Sequence, residues 1–219
     1  ERQPAAQAGN SHVFARARRC SARKPLLELR LRHRGDFARH RVMPYAAELG
    51  AEEFGFDIMV TANEANRTLV GKALNRKINV GDFVHLGVAP KRDGLTACER
   101  VSVVATLDPK RISPDQKYWI EFVEEAFRVG LNGYIRVAKE NLPAKLQEQA
   151  LVDYFKSRED EVCKRLGKKI DLVKQKPYTG THNAGNTECQ EFYGAITLNS
   201  EEPLGKRIVT MLDVAIRGY

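Results

Sequence analysis

The chain has 219 residues, 42% hydrophobic and 29% charged, and a formal net charge of +8 at pH 7. That length suits one large domain or two small ones, with roughly 70% of the unfolded surface buried on folding. No stretch approaches the roughly 20 apolar residues of a transmembrane helix, and no apolar secretory region opens the sequence, so neither a membrane nor a secreted product is expected.

Residues 1–41 carry ten Arg and one Lys against three acidic residues, whereas residues 42–219 balance 25 basic against 25 acidic ones. The whole excess therefore lies on an N-terminal arm, read as atypical or disordered. Such an Arg-rich, acid-poor arm is a transit segment, a polyanion-binding tail or unselected sequence. A nucleic-acid-binding body would carry its own basic stripe, so nucleic acid is expected only through residues 1–41. The four cysteines (Cys20, Cys98, Cys163, Cys189) form no CxxC pair. Free thiols in a reducing compartment follow, and the cytoplasm is the expected location.

The body, residues 42–219, opens with "FGFDIMVTA" (54–62), a mostly buried strand ended by "NEANRT". A turn at Val80–Asp82 leads into a strand at 83–89. "KRDG" (91–94) is an Asp-Gly turn, and "LTACERVSVVATL" (95–107) completes a hairpin. Ser113 as N-cap and Pro114 at the first helical position then start a long amphipathic helix. Its apolar positions are Trp119, Phe122, Val123, Ala126, Phe127, Gly130, Leu131, Tyr134 and Ile135, with Trp119, Phe122 and Phe127 expected in the core. A second helix spans 143–166, with Leu146, Ala150, Leu151, Tyr154, Phe155 and Val162 inward and Gly167 closing it.

Next comes "YTGTHNAGNTECQEFYG" (178–194), which holds a histidine, a cysteine and two glutamates with almost no aliphatic residue. It cannot be a core helix, and it is too polar to be expected as a buried strand, so it is read as a loop. "EFYGAITL" (191–198) and "RIVTMLDVAI" (207–216) read as strands on either side of the turn "NSEEPLGK". Strands, a helix pair and strands again make an α+β domain.

The succession "FDIMVTANEAN", "RKINVGDFVHLGVAPKRDGLTACERVSVVA", helix pair, "GTHNAGNTECQEF" and "PLGKRIVTMLDVAI" resembles the pita-bread superfamily of aminopeptidase P, prolidase, methionine aminopeptidase and creatinase. The likeness covers roughly residues 43–217. It implies a curved antiparallel sheet covered by helices, with the C-terminal end truncated. It also implies a site of two metal ions held by two Asp, one His and two Glu. Carried across residue by residue, the first Asp falls on Gly87 and the second on Cys98. The metal-binding His matches His182, the second His falls on Cys189, and the penultimate-strand Glu matches Asp213. The upstream substrate-binding His falls near Val70, and the last Glu lies beyond Tyr219. A pair of hard divalent cations wants several carboxylates, and this set does not supply them.

Two readings of function follow. In the first, the chain hydrolyses a C–N bond of a small amino-acid-like or guanidino substrate or an X-Pro peptide, without the standard dinuclear metal site. His182, Glu188 and Glu191 are then the catalytic candidates, while Cys98, Cys189, Asp213 and His85 line the substrate pocket. In the second, the domain is catalytically inactive and serves as a binding module. No cofactor is expected, although Cys98, His182, Cys189 and Asp213 could hold a single zinc or other divalent ion. Against these stand plain alternatives: buried thiols, surface glutamates and a packed strand histidine at His85. A small-molecule or short-peptide substrate and a homodimer complete the expected partners.

Overall fold

The computed structural model describes residues 35–56, 58–63, 77–176, 181–185, 195–205 and 208–216, with side chains from Val42 onward. Glu188, Cys189, Glu191, Val70 and residues 1–34 lie outside the described residues. Helix α1 (Gly35–Glu48) runs across position 42 and contains Pro44.

The strand expected over 54–62 is two strands. β1 (Glu53–Phe54) pairs antiparallel with β4 (Pro90–Arg92), and β2 (Met59–Ala62) pairs antiparallel with β3 (Phe83–Val88). The register jumps from Phe54↔Pro90 to Met59↔Gly87. The first strand therefore carries two residues more than its partner, a bulge that ends one ladder and starts the next. The second arm of the hairpin is divided likewise into β5 (Leu95–Thr96) and β6 (Glu99–Val104). Asp93 and Gly94 both take positive φ, 51° and 74°. That is the two-residue geometry whose twist matches a right-handed hairpin, which Asp-Gly adopts at low cost.

The described strands fall into three antiparallel sheets, β1-β4-β5, β2-β3-β6 and a pair of β7 (Thr181–Asn183) with β8 (Thr210–Leu212). Alternation gives the β2-β3-β6 sheet two unlike faces. Val60, Ala62 and Val84 are buried on one face with Ile58 and Ala105, and Val42, Leu86 and Val103 pack against them. Across the other face run Met59↔Gly87↔Arg100 and Thr61↔His85↔Ser102.

The Gly-Asp turn is held by side chains. Asn63 donates to Asp82 Oδ1 at 2.9 Å, while the amide of Phe83 donates to Asn63 Oδ1 at 2.9 Å. Gln116 reaches across from α2 (Pro114–Glu140) to donate to the Gly81 carbonyl at 2.8 Å. Helix α2 starts as the sequence predicts: Ser113 and Gln116 form a reciprocal capping box. It packs against α3 (Lys145–Leu166), which Gly167 ends with φ 64°. Phe122, Ala126, Phe155, Val162 and Leu172 form the helical core. Phe127 does not join it. With Leu131 and Ile135 it lies 39% exposed, because the stripe at i, i+4 and i+8 turns away from α3. Trp119 is only half-buried at the edge.

Among the described residues of 207–216 the strand is β8, and among those of 195–198 Ile196 bridges, to Thr181. The turn that follows meets the start of α3: the Lys145 amide donates to the Ser200 carbonyl at 2.8 Å and the Ala144 amide to that of Glu202 at 3.0 Å. Among the described residues, no helix is long and apolar enough to cross a membrane.

Candidate active site

The sequence reading of 178–194 as a loop is corrected at its centre. Thr181, His182 and Asn183 form the strand β7, and all three are buried. Strand pairing satisfies the backbone of these polar residues, and the His182 ring meets an acceptor at each nitrogen. β7 lies antiparallel to β8, with His182 opposite Met211. On its other side Thr181 bridges Ile196, and Gly185 bridges Thr96 of β5 through a 3.1 Å bond from the Thr96 amide. These contacts tie residues 181–185 to strands from both ends of the fold, so His182 stands on paired backbone.

One residue past β8, Asp213 meets His182. Its Oδ2 lies 3.2 Å from His182 Nε2 and accepts a 2.8 Å bond from Arg100 Nη1. The three side chains are 11% (Asp213), 11% (Arg100) and 6% (His182) exposed. His182 Nδ1 lies 2.9 Å from the Asn183 carbonyl oxygen. A carbonyl and a carboxylate can only accept, so whichever ring nitrogen of His182 carries a proton has an acceptor facing it. The Arg100 guanidinium also lies over Phe56, 5.5 Å from the ring centroid, a cation–π contact strengthened by partial desolvation. Beside Arg100, partial burial first and the charge of Asp213 second push the Glu99 carboxyl above its ordinary range.

His85 lies on the same sheet face as Gly87 and Arg100. It is buried, with Nδ1 3.3 Å from Ser102 Oγ. Cys98 is half-buried at the approach to β6, two residues before Arg100.

The residues present do not fit the pair of metal ions that the resemblance implies. A Cβ built on Gly87 would stand 2.1 Å from the Met59 methyl carbon and 3.3 Å from Arg100 Cγ. A side chain there would therefore have to push the end of the flexible Met59 side chain aside. Arg100, directly across the ladder from Gly87, directs its cation onto Asp213. Among the described residues, no three of His, Cys, Asp and Glu come together to hold an ion.

Sequence reasoning missed Arg100 and Met59. Their signal was present: Arg100 lies two residues beyond Cys98 on the alternating strand "CERVSVV", and Met59 lies opposite Gly87. An arginine on the face where the resemblance would place metal ligands marks a change in charge there.

Neither a family model nor a curated protein matches the chain. Solved structures do. An X-Pro aminopeptidase from Thermotoga maritima superposes with a TM-score of 0.69 at 17% identity, covering 87% of this chain and 48% of that one. A prolidase from Pyrococcus furiosus gives 0.67 at 17% identity over 87% of this chain and 50% of its own. A dipeptidase, PepE, from Mycobacterium ulcerans gives 0.67 at 17% over 91% and 48%. The chain therefore has the α+β pita-bread fold, and it spans about half the length of the solved proteins it matches.

Proposed function

We propose that this pita-bread chain is a hydrolase of a C–N bond in a small amino-acid-like or guanidino substrate or an X-Pro peptide, and that it works without a metal pair. The observation that carries the reading is the buried Arg100–Asp213–His182 network at the position the resemblance assigns to catalysis. An imidazolium steadied by a carboxylate is a proton donor suited to a leaving nitrogen. Water adds to the carbon, the C–N bond breaks, and the nitrogen leaves with the proton from His182. The remaining water proton restores the ring. Glu188 and Glu191 are assigned to orienting a cationic substrate or activating the water, and Cys98, Cys189, Asp213 and His85 to its surroundings.

The test is amine or ammonia release by the purified chain, treated with a chelator, from guanidino acids and X-Pro dipeptides. A substrate of this enzyme is turned over in the chelator, and His182→Ala lowers kcat about 100-fold or more. Full turnover by His182→Ala removes the assignment.

One observation favours a second reading, a catalytically inactive binding domain. Both ring nitrogens of His182 face acceptors, and Met59 fills the space beside Gly87, a packed arrangement that a structural core would also show. No release from any substrate class, by chain that still unfolds cooperatively, selects it.

A further inference from the structure

We propose that Arg100 is a resident cation standing where the divalent ions of the fold would stand, and that the site therefore refuses divalent metals. The inference rests on the site assigned above but not on its turnover, because its readout is metal uptake.

Three observations carry it. First, Asp213 Oδ2 accepts from Arg100 Nη1 at 2.8 Å and lies 3.2 Å from His182 Nε2. A divalent ion binds carboxylate oxygen at about 2.0–2.6 Å, so it could take this oxygen only by displacing the guanidinium. Second, the guanidinium is anchored from behind: Arg100 sits near the start of β6, paired across to Gly87, with its ζ carbon over the Phe56 ring. Moving it would expose a buried positive charge to an incoming one of the same sign. Third, position 87 supplies no ligand, and the Met59 methyl carbon now lies 2.1 Å from where a Cβ would be, so it would have to move to admit one. Absence of the carboxylate, the thioether beside Gly87 and the guanidinium on Asp213 are mutually compatible, and the guanidinium is the one that occupies the carboxylate oxygen itself.

The experiment compares wild-type chain with Arg100→Glu, both passed through chelator and then offered Mn²⁺, Co²⁺ or Zn²⁺. Uptake is read as metal content after desalting and as a shift in melting temperature. Wild-type chain is expected to retain no stoichiometric ion, with its melting temperature moved by less than about 1 °C. Arg100→Glu converts the cation to a carboxylate beside Asp213 and His182. It is expected to take up about one ion per chain and to regain about 5–10 °C on metal addition. Wild-type chain that keeps an ion, and loses it on Asp213→Asn, overturns the proposal. A folded Arg100→Glu that takes up nothing also overturns it, because Arg100 would then not be what excludes the metal. The wild-type arm needs no variant to fold, and a metal-binding wild type still active or inactive in release assays separates this failure from that of the hydrolase reading.

Discussion

The two faces of the β2-β3-β6 sheet share one backbone and one hydrogen-bond ladder, yet they obey different rules. On one face Val60, Ala62 and Val84 meet Ile58 and Ala105 in an apolar layer, where any side chain of similar volume would serve. On the other, Met59, Gly87 and Arg100 meet in register and each depends on the identity of the other two. Stability on the first face is a sum of small terms. On the second it is a constellation, so changes there should be larger and strongly non-additive.

The sharpest way to break that contrast is Gly87→Asp, which restores the residue the resemblance implies. Its Cβ alone would collide with the Met59 methyl, and the carboxylate would be buried against packed neighbours. A loss of at least about 3 kcal/mol is expected by urea denaturation. Adding Met59→Ala should recover part of it. If Gly87→Asp is neutral, the face is not packed as described. Next in size is Arg100→Met, which keeps the length and removes the charge. Breaking one side of a buried ion pair costs about 3–5 kcal/mol. The lower figure is expected, because His182 stays beside Asp213. On the apolar face, Val60→Ala should cost only about 1–2.5 kcal/mol, and combining it with Ala105→Gly should give nearly the sum of the single effects. A Val60→Ala loss matching that of Arg100→Met would erase the distinction between the faces.

How much of this was legible in the sequence follows the same division. The apolar face, the Asp-Gly turn, the Ser113 cap and the helix pair all declare themselves through periodicity and local turn chemistry, which act over a few residues. The break between β1 and β2 does not. It arises because two separated segments differ by two residues in register, and no window on one strand contains that difference. The strand Thr181–Asn183 was hidden for another reason: polarity argued for a loop, but tertiary partners remove the cost of burying it. Phe127 shows the converse limit, since helical spacing places it on an apolar stripe without saying how wide the covered part of that stripe is. Of the candidate site, His182 and Asp213 could be matched to positions. Their partner Arg100 could not, because a substituted ligand set says what has gone and leaves open what charge has come.

The smallest expected effect lies at the border of the two faces, at Glu99, beside Arg100 in sequence but alternate to it along β6. Partial burial and the nearby charge of Asp213 disfavour its carboxylate, so its folded pKa is raised above the unfolded value. The protonated form is the one the fold prefers. Its contribution to stability is therefore fully present below the unfolded pKa and is lost as pH rises through the folded pKa. At neutral pH the ionised side chain is a small cost, which Glu99→Gln should remove. Because the side chain keeps contact with water despite its partial burial, its charge is screened and the gain in melting temperature should be only about 1 °C at pH 7. It should fade as pH falls below the ordinary carboxylate range, where Glu99 is protonated in both folded and unfolded chains. In Glu99→Gln/Asp213→Asn the gain should shrink but not disappear, since burial is the larger of the two causes. Disappearance would make the Asp213 charge dominant and move Glu99 from the border into the Arg100 network.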